Sequence, residues 1–210
     1  MARRFPDNSV YQALYTVGYP LIRAFFGVRV SGEARLPGTG GVIVAVNHCA
    51  NYDPVFMGLA CPRQLAFLAK AELFRNPLLA RLLRQLGSIP LHRGSADTGA
   101  LRAAVEALES GKPLLLFPEG TRSRTGRLQQ GRRGVGMLAA RTGCPIQPVH
   151  VSGTFHLLRN FPFQRVEIRF GEPFAVPASP PRGMSVKEWY RRIGEDTMNR
   201  IKELQDGRHR

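Results

Sequence analysis

Short runs of apolar residues alternate with longer amphipathic segments from about residue 41 to the end of the chain. The run Val42–Val46 is unbroken and rich in β-branched residues, which is typical of a buried strand. Strands that alternate with helices predict an α/β fold, here a single domain with a mixed, largely parallel sheet flanked by helices. The other predicted strands are residues 65–69, 89–91, 114–117, 146–151 and 166–170.

Helix start and stop residues separate these strands. Asp53-Pro54 and Asn76-Pro77 each look like an N-cap followed by proline in the first turn, and Gly111 and Gly143 suit helix ends. In addition to the helices predicted after Pro54 and Pro77, the sequence predicts helices over residues 96–110, 132–142 and 185–204. The helix after Pro77 carries Arg81 and Arg84 off an apolar face of Leu78, Leu79, Leu82, Leu83 and Leu86.

The N-terminal segment has a different pattern. Residues 10–30 approach the length of a membrane span, but Gln12, Arg23 and Arg29 interrupt them and Pro20 lies inside. Residues 1–30 therefore predict a short amphipathic helical segment at the membrane interface, ahead of the α/β domain at residues 31–210. The alternative is a helix packed on its own domain. The stripe expected in the lipid is Tyr11, Tyr15, Tyr19, Ile22 and Phe26.

The chain is strongly basic, with a formal net charge of +15. Four of its 30 basic residues are lysines, so arginine dominates, and arginine pairs well with phosphate oxygens. Such a surface attracts either nucleic acid or an anionic membrane. Nucleic-acid binding would need stacking aromatics among the arginines, and Phe161 and Phe163 form the nearest such cluster. No nucleic-acid motif accompanies them, so we expect no nucleic-acid partner.

Three cysteines, Cys49, Cys61 and Cys144, form no metal-type pair. Their odd number and the lack of a signal peptide predict reduced thiols in a cytosolic environment. Cys49 stands beside His48, but adjacent residues at a strand end point to opposite faces, which argues against a thiol nucleophile.

Candidate chemistry follows the predicted strands. His48 and Asp53 lie on either side of a strand-to-helix junction, where the carboxylate could orient the imidazole as a general base. The alternative is that Asp53 is only an N-cap. Residues 117–123 read F-P-E-G-T-R-S, in which Gly120 permits close backbone approach and Arg122 offers a bidentate phosphate grip. Ile89 to Arg93 and Pro145 to Pro148 form two further blocks.

These blocks, in this order, resemble the lysophospholipid and glycerolipid acyltransferase family over residues 41–154. The resemblance rests on N-H-x4-D at residues 47–53, K-A-E-L-F at 70–74, I-P-L-x-R at 89–93, F-P-E-G-T-R-S at 117–123 and the proline block at 145–148. It implies that His48 is the catalytic base, that Asp53 orients it and that no acyl-enzyme forms. It also implies an acceptor phosphate held by Arg122, Arg93 and Lys70. Glu119, Gly120 and Thr121 complete the expected substrate-binding set.

The expected reaction moves a fatty acyl group from acyl-CoA or acyl carrier protein to the sn-2 hydroxyl of 1-acylglycerol 3-phosphate. Another lysolipid or glycerol 3-phosphate is the alternative acceptor, because Ala50, His92 and residues 131–134 depart from the family pattern. No metal or bound cofactor is implied. Backbone N–H groups near residues 147–149 are the expected oxyanion donors. The expected location is the cytoplasmic face of an anionic membrane, with peripheral or monotopic attachment.

Overall fold

The computed structural model describes residues 9–92, 97–160 and 165–207, which contain one seven-stranded sheet. The strands are β1 (Arg29–Ser31), β2 (Val42–Val46), β3 (Ala66–Lys70), β4 (Ser88–Leu91), β5 (Pro113–Leu116), β6 (Ile146–Ser152) and β7 (Glu167–Phe170). The helices are α1 (Ser9–Phe26), α2 (Asp53–Ala60), α3 (Pro77–Gln85), α4 (Thr98–Glu109), α5 (Gly134–Thr142) and α6 (Val186–Gln205). Short 3-10 helices cover Glu33–Arg35 and Ala71–Arg75.

The strand order is β1-β7-β6-β2-β5-β3-β4. The five strands from β6 to β4 run parallel, β7 is antiparallel to β6, and β1 is parallel to β7. The predicted mixed, largely parallel sheet is therefore confirmed. Each strand predicted from the sequence is present, and its ends differ from the prediction by no more than one residue.

Helices cover both faces of the sheet, as the unbroken apolar run of β2 requires. Val42, Val44 and Val46 point to the face that α2 covers, where they join a core with Phe56 and Met57. Ile43 and Ala45 point to the opposite face, where α4, α5 and α6 contribute Leu108, Leu138 and Ile193. We call these the α2 face and the α5 face. The alternation follows from the two-residue period of strand side chains.

Strand β1 was not predicted. It has three residues and no apolar run, and it forms because Arg29 to Ser31 pair with β7. Strand β1 includes residue 30, at which the sequence analysis placed the boundary between the N-terminal segment and the domain. The segment is thus continuous with the sheet.

Helix α1 lies on α2, and its orientation corrects the expected lipid stripe. Tyr11 and Tyr15 are only 6% and 7% exposed, and the Tyr11 hydroxyl donates a hydrogen bond to the Gly58 carbonyl at 2.6 Å. Ile22 and Phe26 pack against the core of the α2 face. The stripe therefore packs on the domain, so the prediction that it lies in lipid is wrong. The exposed apolar residues of α1 are Leu14, Val17, Leu21 and Phe25.

Crossing a bilayer takes a helix of about 20 mostly apolar residues. None of the helices within the described residues meets that requirement of length and apolar content.

Candidate active site

The candidate site lies at the carboxyl ends of β2 and β5, which are neighbours in the sheet. The chain leaves β2 towards α2 on one face and leaves β5 towards α5 on the other. A crevice opens outside a parallel sheet where adjacent connections part in this way, and ligands bind there. His48 follows β2 by two residues, and Phe117 follows β5 directly. The topology alone therefore brings two of the sequence blocks together.

His48 and Asp53 form the pair that the sequence predicts. The Nδ1 atom of His48 lies 2.9 Å from Oδ2 of Asp53, which is fully buried, while His48 is 9% exposed. A carboxylate oxygen accepts this hydrogen bond, so in the neutral imidazole the hydrogen lies on Nδ1 and the lone pair on Nε2. The imidazole is thus held in the tautomer that a general base needs.

Asp53 does not cap α2, which corrects the alternative reading of this residue. It is the first residue of the helix, the N-cap position belongs to Tyr52, and Pro54 follows in the first turn. Its Oδ2 atom points back into the preceding loop and accepts from the backbone N–H groups of Cys49 and Ala50, each at 2.7 Å. The same oxygen therefore fixes the loop that carries His48 and the ring of His48 itself.

Glu119 connects the loop after β5 to His48. Its Oε1 atom accepts from the backbone N–H of His48 at 3.1 Å, and its Oε2 atom accepts from the side chain of Gln129 at 2.7 Å. The backbone N–H of Ser123 also donates to the His48 carbonyl at 2.8 Å. Burial raises the pKa of Glu119, and the hydrogen bond from His48 acts against that rise. Both carboxylate oxygens are engaged, so Glu119 orders the two loops.

Two residues that sequence reasoning left without a role also hold His48 in place. The ring of Phe117 stacks on the imidazole, with centroids 3.9 Å apart and planes at 19°. The amide of Asn47 exchanges two hydrogen bonds with the backbone of Val151 in β6, at 2.9 and 2.7 Å. Both belong to the recognised sequence blocks, but their partners lie far away in sequence. Only the fold shows what they contact.

Gly120 and Arg122 lie on the exposed turn after Glu119. Gly120 has φ of 70°, and a Cβ atom there would come within 2.8 Å of Cδ of Arg132. The glycine therefore lets the Arg132 side chain lie over the turn, a position that the sequence did not indicate. Burial and the charge of Asp53 raise the pKa of Tyr52, and the charge of Arg122 acts in the opposite direction. The Arg122 guanidinium is thus within electrostatic range of the site.

The remaining predicted site residues are Thr121, Lys70 and Arg93. Thr121 is exposed, and its carbonyl accepts a hydrogen bond from Gln129 at 3.2 Å. Lys70 ends β3, two strands from β2, so it lies at the same edge of the sheet roughly 10 Å away. Arg93 falls outside the described residues, as do Phe161 and Phe163.

The prediction that backbone N–H groups near residues 147–149 bind the oxyanion is wrong. Gln147 and Val149 are fully buried within β6, and their stretch of backbone is paired with β2 and β7. The Gln147 amide donates to the Gly171 carbonyl inside the sheet. Backbone groups committed to a sheet ladder in this way are not available to a substrate oxygen.

Cys49 is buried, and burial together with the nearby Asp53 charge raises the pKa of its thiol to about 11. The thiol is therefore protonated near neutral pH, and a protonated thiol is a poor nucleophile. The structure thus agrees with the sequence argument against a thiol nucleophile.

An apolar cleft of about 720 Å³ begins at Phe117 and runs over the α5 face. Leu101, Leu116, Val135 and Tyr190 line it, while Arg132, Arg133 and Lys187 stand among the lining residues as positive charges. This volume is in the range of small-molecule sites, which typically span about 300–1,000 Å³. A second cleft, of about 730 Å³, lies at the amino ends of β3, β4 and β5, on the edge of the sheet opposite His48.

Comparison with known proteins agrees with this geometry. A 1-acyl-sn-glycerol-3-phosphate acyltransferase of Bacillus subtilis (strain 168) is 26% identical over 181 residues, which are 86% of this chain and 89% of that protein. The chloroplastic 1-acyl-sn-glycerol-3-phosphate acyltransferase of Arabidopsis thaliana is 28% identical over 135 residues. These residues are 63% of this chain but only 38% of the plant protein, so the chain spans well under half of that relative.

A solved structure shares the fold. It is the 1-acyl-sn-glycerophosphate acyltransferase PlsC from Thermotoga maritima, with a TM-score of 0.67 and 27% sequence identity. The superposition covers 95% of this chain and 83% of that one. The family profile described as Acyltransferase matches residues 27–152, a stretch that includes His48, Asp53 and Arg122. With more than half of its length matched and these side chains assembled at one edge of the sheet, the chain belongs to the acyltransferase family.

Proposed function

We propose that this protein transfers a fatty acyl group from a thioester donor to the sn-2 hydroxyl of 1-acylglycerol 3-phosphate, forming phosphatidic acid. The observation that carries this proposal is the His48–Asp53 pair, because a fully buried carboxylate there holds the imidazole in the tautomer of a general base. Acyl transfer to a hydroxyl needs such a base and no metal or redox group.

In the proposed step, Nε2 of His48 takes the proton of the acceptor hydroxyl as its oxygen attacks the thioester carbonyl. The new ester C–O bond forms, the C–S bond breaks, and the thiolate leaves with the proton that His48 received. General base catalysis of this kind typically contributes about 10²–10⁴-fold. Direct transfer is favoured over an acyl-enzyme because the Cys49 thiol stays protonated. Glu119 positions the loop of His48 and does not serve as a second base.

The acceptor phosphate is assigned to Arg122 and, newly, to Arg132, whose side chain lies over Gly120. Lys70, which ends β3, and Arg93 remain proposed contributors. Arginine suits this role because its planar guanidinium binds phosphate oxygens in pairs. Gly120 and Thr121 shape the turn that carries Arg122.

The acyl chain of the donor is assigned to the apolar cleft that begins at Phe117. Arg132, Arg133 and Lys187 would attract the phosphates of coenzyme A or the acidic surface of an acyl carrier protein.

Attachment to the cytoplasmic face of an anionic membrane is proposed through the exposed side of α1. Leu14, Val17, Leu21 and Phe25 provide its apolar surface. An amphipathic helix of this kind binds in the lipid interface by burying apolar side chains and attracting anionic headgroups.

The decisive experiment is an assay of the purified full chain with lysophosphatidic acid, glycerol 3-phosphate and a lysolipid that lacks a phosphate monoester. Each acceptor is offered with acyl-CoA and with acyl carrier protein. Transfer to lysophosphatidic acid at the highest kcat/KM supports the proposal. Absence of transfer to it with either donor rejects the proposal, and preference for another acceptor selects the alternative. Binding to duplex DNA as tight as binding to anionic vesicles would revive the nucleic-acid interpretation.

Substitution of Arg122 tests the phosphate contact. Both Arg122→Lys and Arg122→Ala should lower kcat/KM for lysophosphatidic acid at least about tenfold, because a lysine cannot form the paired contact. The loss should be smaller for an acceptor without a phosphate monoester. Arg124→Ala is the matched control, since Arg124 is exposed on the same loop. Equal losses for both acceptors would show that Arg122 does not bind the phosphate.

A further inference from the structure

Helix α3 exposes its leucines. Leu78 is 82% exposed, and Ala80 is the fully buried residue among the nine of this helix. Leu73, in the 3-10 helix just before α3, is also exposed. We call the four side chains Leu73, Leu78, Leu79 and Leu82 the leucine face.

This orientation reverses the usual one. A surface helix normally turns its apolar side towards the core and its charges outwards. At 100° per residue, Leu78, Leu79 and Leu82 fall within an arc of about 100°, and Ala80 lies roughly opposite Leu82. Leu78 therefore points away from the protein, and Leu79 and Leu82 flank it at 37% and 39% exposure. A contiguous exposed patch of large apolar side chains indicates an interaction surface.

The charges around the leucine face select the partner. Arg75 and Arg81 are both exposed beside it, and Glu72 is the single acidic residue in the sequence from 71 to 86. Apolar side chains bordered by arginines match an anionic lipid surface, where the leucines enter the acyl region and the arginines contact headgroups. A second copy of this chain fits poorly, because a symmetric contact would place these arginines against one another.

The leucine face and the exposed side of α1 lie on the same face of the sheet. The connections β2-α2-β3 and β3-α3-β4 both advance in the same direction along the strand order. Parallel crossovers are right-handed, so α3 lies on the α2 face of the sheet, where α1 also packs. The 3-10 helix and the first turn of α3 follow the carboxyl end of β3, at the edge where His48 lies.

We propose that the leucine face is a second membrane contact, separate from α1, that binds anionic bilayers. Together the two contacts would hold the edge of the sheet that carries His48 against the lipid surface, and one helix alone would leave the domain free to rotate about it. The consequence for catalysis rests on the proposed function, since a lysophospholipid acceptor resides in that lipid surface. Binding to the bilayer itself does not depend on which acceptor is used.

Vesicle binding of the full chain tests this inference. The double variant Leu78→Asn with Leu82→Asn should partition at least about tenfold more weakly than wild type onto vesicles of equal parts phosphatidylcholine and phosphatidylglycerol. Its melting temperature should fall only slightly, because Leu78 is 82% exposed and Leu82 is 39% exposed. The matched control Leu78→Met with Leu82→Met keeps the apolar surface and should bind like wild type. Unchanged binding of the Asn variant overturns the proposal.

Charge is tested in the same assay. Arg75→Gln with Arg81→Gln should weaken binding to these vesicles. Arg102→Gln with Arg141→Gln removes equal charge from exposed positions on α4 and α5, on the other face of the sheet, and should have a smaller effect. Equal effects of the two double variants would mean that net charge alone drives binding, which contradicts a local contact. A wild-type dimer that the Asn substitutions dissociate, without loss of vesicle binding, would assign the leucine face to a second copy and overturn the proposal.

Fluorescence gives a readout that does not depend on the Asn variant folding. The native chain has one tryptophan, Trp189, which is buried on the α5 face. A Leu78→Trp variant should shift its emission to the blue on anionic vesicles and be quenched by brominated acyl chains. An unshifted, unquenched emission on vesicles that have bound the protein rejects the lipid contact. A wild-type chain that binds vesicles but transfers no acyl group would reject the proposed function without rejecting the lipid contact.

Discussion

A single carboxylate oxygen organises the chemistry of the site. Oδ2 of Asp53 accepts from the backbone of Cys49 and Ala50 and from the ring of His48. Hydrogen bonds to a charged acceptor in a buried place are stronger than those between neutral groups. Three donors to Oδ2 offset the burial of Asp53, whereas its buried Oδ1 atom has no hydrogen-bond partner among the described residues. The same three bonds leave the imidazole little freedom to turn away from a substrate.

His48→Ala should lower kcat at least about 10²-fold, because the base is lost. The fold should survive, since the contacts of His48 with Glu119 and Ser123 are made by its backbone atoms. His156→Ala, at an exposed histidine outside the site, is the control. Steady-state rates and thermal melts of both variants make the measurement. A His48→Ala enzyme that retains more than about a tenth of the wild-type rate would contradict the assignment of the base.

Asp53→Asn should reduce kcat by about 10²-fold or more with a small change in melting temperature. An asparagine oxygen can still accept from the backbone of Cys49 and Ala50, so the loop keeps its shape. It carries no charge, however, and cannot stabilise the imidazolium that forms as the proton moves. Rates and melts are measured side by side. Full activity in a stable variant would show that Asp53 serves the loop only.

At the scale of elements, α1 carries apolar side chains on two sides. One side carries Tyr11 and Tyr15 and packs on α2, and the other carries Leu21 and Phe25 and is exposed. An apolar side that the domain leaves exposed indicates an interaction surface. The two sides should therefore respond differently to substitution, the packed side through stability and the exposed side through membrane binding.

The variant Leu21→Asn with Phe25→Asn should release much of the protein from anionic vesicles while its melting temperature stays constant. Tyr15→Ala should instead cost about 3 kcal/mol in the free energy of unfolding, because it removes a buried aromatic ring. Vesicle co-sedimentation and chemical denaturation separate the two effects. Release from vesicles by Tyr15→Ala at full stability, with no effect of the Asn pair, would return the lipid contact to the tyrosine stripe.

For the whole molecule, stability depends on pH through a histidine that has no part in the proposed chemistry. His150 lies in β6 opposite Arg169, and burial, assisted by the Arg169 charge, lowers its pKa to about 4 from an ordinary value of 6.5. Above that ordinary value the side chain is neutral in both the folded and the unfolded chain. Between the two values the unfolded chain binds a proton that the folded chain excludes, so acid destabilises the fold.

The wild-type chain should therefore lose up to about 3 kcal/mol of stability through His150 as the pH falls from 6.5 towards 4. A His150→Gln variant lacks this titration and should show a flatter profile over the same window. The measurement is urea denaturation at several pH values, with the difference between the two proteins as the readout. Parallel profiles would mean that His150 is protonated as readily in the folded state as in the unfolded state.

Local pattern was enough for much of this fold, and a resemblance of short sequence blocks indicated the centre of the site. The run Val42–Val46 and the later strands are encoded by the apolar period of neighbouring residues, so their bounds agree with the sequence. His48, Asp53 and Arg122 were recognised because their short blocks resemble those of the acyltransferase family, whereas spacing alone left Asp53 open as a helix cap. The pairing of His48 with Asp53 spans only five residues, so a single turn of chain brings them together.

Tertiary contacts decided what local pattern left open. The tyrosine stripe faces the domain because Tyr11 finds the Gly58 carbonyl, 47 residues away, and both sides of α1 are apolar enough to be buried. Strand β1 exists only through β7, and Asn47 gains its role only through Val151, 104 residues away. Periodicity reports that a helix has an apolar side, but which side meets the core depends on partners that are distant in sequence. For the same reason the leucine face of α3 is evident only in the folded molecule.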